Sequence, residues 1–162
     1  MHISLKEYTN SDTSELLELT KKLHMYVKSL DVLHRIKNLP GYAEISLRDI
    51  WENIKRYQGK IWFAQDNDKT IGYIMGVIWE QSEKNTLEIG HHVLGEVIEL
   101  YVDENYRRKG VGKMMIDKME EYFKDKGCDS VWVSVFASND TARQVYRNSG
   151  FVEREIGMLK EI

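Results

Sequence analysis

The chain contains one cysteine, Cys128, and one proline, Pro40, in 162 residues. A single cysteine makes no intrachain disulfide, so a cross-linked secreted scaffold is excluded and a reducing compartment fits. No run approaches the roughly 18 consecutive apolar residues of a membrane span. The opening "MHISLKEYTN" lacks the apolar core of a signal peptide. Positive charge is not in excess either. The net charge of −3 implies no general attraction to nucleic acid or to an anionic membrane. These absences lead us to expect a cytoplasmic protein with no nucleic-acid or membrane partner. What is present is the balance of a globular protein, 42% apolar and 30% charged, at a length that suits one domain, 1–162. There is no repeat, linker or low-complexity tract.

The hydrophobic period changes along the chain. "HISLKEYT" alternates and reads as a strand. Leu16, Leu19, Leu23, Val27 and Leu30 then recur at helical spacing, to about Asp31. "HRIKNLPGYAE" reads as a loop. A second helix carries Leu47, Ile50, Trp51, Ile54 and Tyr57 on one face, with Gly59 as its stop. "KIWFAQ" and "KTIGYIMGVIWEQ" predict a hairpin across "DNDK". "SEKNTLEIGHH" is polar and predicts a loop, with room for a short strand. "GEVIELYVDE" predicts a strand, "KGVGKMMIDKMEEYFKDKG" a helix stopped by Gly127, and "SVWVSVFAS" another strand. A short helix at 139–150 and a last strand at 151–162 complete the chain. The strands at 95–104 and 130–138 flank a crossover helix and are expected to be parallel neighbours.

One junction carries more charge than a turn needs. "YRRKGVGKMM" falls after a strand and on the first turn of a helix. Unpaired N–H groups there point outward, and the helix dipole adds positive potential. Gly110 and Gly112 let an anion approach the backbone, and Arg107, Arg108, Lys109 and Lys113 surround it with charge. A phosphate or pyrophosphate fits. The nucleotide-triphosphate loop fails, because Met114 follows Gly112-Lys113 and Arg107 stands where the first glycine belongs. The dinucleotide fingerprint fails at Met115.

What remains, Arg107-x-x-Gly110-x-Gly112, resembles the [QR]-x-x-G-x-[GA] segment of the GNAT superfamily of N-acetyltransferases. In that family it follows the fourth strand and holds the pyrophosphate of acetyl-coenzyme A. A second block, Asn139, Ala142, Tyr146, Gly150 and Phe151, is similar to the family's N-x-x-A-x-x-x-Y-x-x-x-G-F region. The resemblance is specific over roughly 95–155 and architectural before residue 90. It implies an α/β (α+β) fold of three layers, a mixed and mostly antiparallel sheet flanked by helices. It also implies an enzyme that passes acetyl from acetyl-coenzyme A to a primary amine by direct attack.

The resemblance assigns roles. The backbone of Arg107, Arg108, Lys109, Gly110, Val111, Gly112 and Lys113 would hold the pyrophosphate. The edge at Leu100, Tyr101 and Val102 would pair with the pantetheine arm, and Asn139 would touch the cofactor. Tyr146 would protonate the leaving thiolate. Members that modify protein N-termini carry a glutamate in the fifth strand, and Ser134 stands at that position here.

For the base, alternation puts Val97, Glu99 and Tyr101 on one face of their strand and Glu96, Ile98, Leu100 and Val102 on the other. A carboxylate in a covered strand is costly unless paired or functional, so Glu99 is the candidate and Glu96 its alternative. His91 and His92 are adjacent and lack a carboxylate at useful spacing, so no metal is expected. Cys128 reads as a packing residue. A binding module that keeps the fold without turnover stays open, as do acyl chains longer than acetyl, a homodimer and the identity of the amine.

Overall fold

The computed structural model describes residues 2–162. β1 (Ile3–Glu7) leads through a 3-10 turn into α1 (Thr13–Leu30) and α2 (Tyr42–Arg56). The hairpin of β2 (Lys60–Asp66) and β3 (Lys69–Trp79) follows, then α3 (Glu83–Ile89) and β4 (Leu94–Val102). α4 (Val111–Asp125), β5 (Ser130–Val133) and α5 (Asp140–Asn148) complete the order. The five strands form one sheet in chain order, antiparallel from β1 to β4, with β5 parallel to β4. The expected fold and the expected parallel pair are both present.

Each face of the sheet has its own apolar layer. Leu16, Leu19, Leu47, Ile50 and Ile54 of α1 and α2 cover Phe63, Tyr73, Met75, Val77 and Tyr101. Met115, Ile116, Met119 and Phe123 of α4 cover Trp62, Ile71, Ile74 and Val97. α4 lies close to the sheet because two strand positions are glycine. A Cβ on Gly95 would stand 2.6 Å from the Phe123 ring, and one on Gly76 2.8 Å from Met119 Sδ.

A bulge in β4 corrects the alternation argument. Met75 pairs with Glu99 but Gly76 pairs with Val97, so Ile98 is an extra residue and side-chain parity shifts there. Val97 therefore joins the α4 layer, while Tyr101 lies in the α1–α2 layer. Glu99 meets Tyr73 on that second face, and Glu96 meets Trp79 there too. The two carboxylates share a face rather than opposing each other.

Four segment assignments also change. Residues 83–89 of the expected loop form α3, capped by Ser82 Oγ accepting from the Asn85 amide at 3.2 Å and ended at Gly90. This helix buries none of its residues, so it carries no apolar stripe to be read. β5 stops at Val133 rather than 138, where its pairing with β4 stops. Residues 151–162, expected as a strand, have no regular structure, and Val152, Ile156 and Met158 are exposed. α2 begins at Tyr42, inside the segment expected as a loop.

Candidate active site

The last β4–β5 pair is Val97 with Val133. After the bulge at Ile98, β4 from Glu99 to Val102 pairs with β3 alone, so the other edge of its backbone has no strand partner. This edge runs toward the start of α4. Leu100 and Val102 pack with the α4 layer, and Tyr101 turns into the opposite core, where burial raises its phenol above the usual value. What the three residues offer along the unpaired edge is backbone.

α4 starts after Gly110 at φ +82°, a conformation that side chains rarely adopt. No side chain caps this helix, so its first amides are free for an anion. A Cβ on Gly112 would lie 3.5 Å from Val145 and 3.8 Å from Val102, which sets this turn close to both α5 and the end of β4. The neighbouring cations are less mobile than the sequence suggests. Arg107 Nε donates to the Val102 carbonyl at 3.1 Å, and its guanidinium lies 4.4 Å from the Tyr26 ring centroid. Lys113 Nζ bonds both Asp117 oxygens at 2.7 Å. Lys109 Nζ lies 5.2 Å from the Tyr106 ring centroid. Arg108, at φ 60°, makes no ion pair among the described residues. The free charge at the loop is therefore mostly that of Arg108, Lys109 and the helix itself.

Asn139 caps α5 by accepting from the Ala142 amide at 3.1 Å, and Tyr26 donates to the same oxygen at 3.3 Å. Tyr26 thus links α1 to Arg107 on one side and Asn139 on the other. Tyr146, on α5, is buried in the α4 layer with its ring 5.6 Å from that of Phe151 in an edge contact. Its hydroxyl has no hydrogen-bond partner among the described residues. Burial pushes its pKa up to about 12.

On the other face of β4, Glu99 is bound at both oxygens. The Tyr73 hydroxyl donates to Oε2 at 2.7 Å, and His24 Nε2 lies 3.2 Å from Oε1. The Tyr73 hydroxyl also stands 3.2 Å from Thr20 Oγ1. Burial, then the Glu99 charge, holds the Tyr73 phenol well above its usual range. Glu96 accepts from Trp79 Nε1. The sequence reading did not single out His24, Tyr73 or Tyr26. A signal for His24 existed: Thr20 and His24 stand four apart on the helix stripe otherwise filled by leucines.

His92 Nδ1 pairs with Asp129 at 3.2 Å rather than sharing a ligand with His91. Burial, then the neighbouring Asp129, raises the Cys128 thiol above its usual value, which opposes a nucleophilic role. Among the described residues no helix is long and apolar enough to cross a membrane.

Comparison with known proteins places this geometry. The chain is 29% identical over 107 residues to an N-alpha-acetyltransferase of Sulfurisphaera tokodaii, covering 65% of this chain and 64% of that protein. It is 33% identical over 55 residues to the ribosomal protein bS18-alanine N-acetyltransferase of Salmonella typhimurium, covering 34% and 37%. The matches to the first relatives span only 43% to 64% of those proteins' lengths. A predicted acetyltransferase with acetyl-CoA from Clostridium acetobutylicum has the same fold at a TM-score of 0.76 and 16% identity, over 99% of this chain and 96% of that one. The aminoglycoside acetyltransferase AAC(6')-Iy with a bisubstrate analogue aligns at a TM-score of 0.74 and 17% identity, over 100% and 99%. A profile for the acetyltransferase (GNAT) family matches residues 27–151, which contain the open strand edge, the glycine turn and the buried tyrosine, and the chain belongs to that family.

Proposed function

We propose that residues 1–162 act as one acetyltransferase domain that moves an acetyl group from acetyl-coenzyme A to a primary amine by direct attack in a ternary complex. The observation that carries this reading is the unpaired edge of β4 from Glu99 to Val102, leading to the uncapped, glycine-started α4. A pantetheine arm needs amide partners and a pyrophosphate needs free N–H groups. The two features stand in the order a coenzyme A molecule requires. The donor supplies an activated acyl carbon as a thioester.

The chain's own residues do the rest. The backbone of Leu100, Tyr101 and Val102 orients the arm and offers an N–H to the thioester oxygen, where negative charge develops. The amides of Val111, Gly112 and Lys113, with Arg108 and Lys109, hold the diphosphate. Arg107 acts mainly on the protein, tying the end of β4 to α1, and Asn139 fixes the start of α5. At a pKa of about 12, Tyr146 keeps its proton at any working pH. It gives up that proton only as negative charge builds on the sulfur during C–S cleavage. Glu99, enclosed by Tyr73 and His24, acts through these neighbours. The relatives' names support an amine acceptor, and protein N-termini are among the acceptors those names state.

Gly110→Asp tests the donor site. The new carboxylate would compete for the helix amides and repel the diphosphate, and the φ of +82° would be strained. We expect coenzyme A binding to fall below detection by calorimetry and free-thiol release with an amine panel to cease. Unchanged affinity would overturn the assignment. Tight binding by the wild type with no thiol release for any amine would leave a binding module instead.

A further inference from the structure

His24 connects two places that the reaction needs. Its Nε2 is bonded to Glu99 on β4, where the pairing with β5 has ended. The same ring lines a hollow of about 470 Å³ between α1, the 36–40 segment and the start of α2. The two side chains are 11% and 10% exposed, so the pair is largely withdrawn from water. The other ring nitrogen, Nδ1, is buried and has no hydrogen-bond partner among the described residues. Placing the proton on Nε2, toward the carboxylate, makes Nδ1 an open acceptor. An unpartnered buried acceptor is costly in a purely structural side chain and useful where a donor is to be received.

The hollow describes that donor's carrier. Val27, Ile36, Leu39, Pro40 and Ile45 make its walls apolar, and no carboxylate lines it. Its one lysine, Lys37, bonds the His34 carbonyl at 2.7 Å, so that charge is not neutralised by an acid. Such a space suits an apolar body, and beyond the His24–Glu99 pair it offers a second cation no counter-charge.

We propose that His24 Nδ1 receives the proton of the acceptor amine, with Glu99 as its fixed counter-charge, and that the acceptor is a primary amine carried on an apolar body rather than a polycation. This rests on the acetyltransferase reading above. The amine arrives as R–NH3+, and one proton passes to Nδ1 and then to solvent. The neutral nitrogen forms the new N–C bond while the C–S bond breaks. The amide nitrogen sheds a second proton as Tyr146 protonates the sulfur and is reprotonated, so one proton is released overall. Nδ1 is buried, so access to it requires side-chain movement; the Tyr42 ring, centroid 4.9 Å from that of His24, is the neighbouring aromatic of the hollow. The groups facing His24 are Glu99 on β4, Tyr73 on β3, Tyr42 on α2 and Lys37 on the connecting segment. On α1 itself, Lys21 is paired to Glu18 and Glu44, and Lys28 bonds the Lys37 carbonyl at 2.9 Å.

The test compares wild type with His24→Gln, whose amide can still donate to Glu99 but cannot take a proton. With 2-phenylethylamine as acceptor, kcat/KM should fall about 10²–10⁴-fold near neutral pH. The loss should shrink at alkaline pH, where the amine is neutral without help, and the variant should keep its coenzyme A affinity and melting temperature. Nitrogen NMR of the wild-type imidazole, without acetyl donor, should show Nδ1 shifting on amine addition. The wild type should prefer 2-phenylethylamine to spermidine at least tenfold. Thiol release by wild type with an unchanged rate and pH profile in His24→Gln overturns the role of His24 alone. A spermidine preference overturns the acceptor class. A wild type silent with every amine removes the acetyltransferase reading, and this inference with it.

Discussion

The two faces of the sheet are built differently. Under α4, the layer is apolar, from Trp62 and Ile74 to Met115, Met119 and Phe123, and strand glycines bring the helix close. Among the described residues, Tyr146 is the one phenol buried in that layer. Under α1 and α2, a polar chain runs through the layer: Thr20, Tyr73, Glu99 and His24, with Glu96 of β4 and Trp79 of β3 farther along the sheet. A close-packed apolar face mainly supplies stability, with Tyr146 at its margin. The other face gives up part of that stability to keep titratable groups beside the open edge of β4. The bulge at Ile98 makes this division possible, because it sends Val97 to one layer and Glu99 to the other.

The largest effect should come from the apolar face. Phe123 is fully buried against Gly95 and Gly76, and Phe123→Ala leaves a void that the sheet cannot close. We expect a loss of about 3–5 kcal/mol by denaturant unfolding. A loss below 1 kcal/mol would mean the face is not close-packed. Glu99→Gln should cost less, about 1–3 kcal/mol, since the amide oxygen still accepts from Tyr73 but the interaction with His24 weakens. It should also lower turnover. If it costs as much as Phe123→Ala, the polar chain is structural and the contrast between the faces fails.

Tyr146→Phe should change stability least, by about 0.5 kcal/mol or less, because the hydroxyl it removes has no hydrogen-bond partner among the described residues. Its rate, by contrast, should fall about 10²–10⁴-fold. That loss should be smaller with an acetyl thioester of a more acidic thiol, which needs the acid less. Equal losses with both donors would point to packing, and wild-type rates would remove the acid role.

Much of the site could be read in the sequence because its demands are local. A helix N-terminus with glycines and cations is a short pattern, and so is the spacing of Asn139, Ala142, Tyr146 and Gly150. The surrounding helices were equally readable where they carry an apolar stripe. α3 was not, because all its residues remain accessible and no periodicity marks it. The last twelve residues alternate well enough to suggest a strand, yet strand structure requires a partner, and none pairs with them.

The sequence by itself determined the order of the five strands and of the helices that carry an apolar stripe, the glycine-started turn and the family, since each depends on residues close together in the chain. Only the tertiary structure decided which way Glu99 points. That direction follows from one extra residue in β4 relative to β3, a property of pairing between strands that composition and alternation do not contain. The tertiary structure likewise brought His24, 75 positions away, onto Glu99 and stopped β5 at Val133, leaving the β4 edge open. Contacts over such separations are fixed when the layers pack, and packing is where a chain's local patterns become a site.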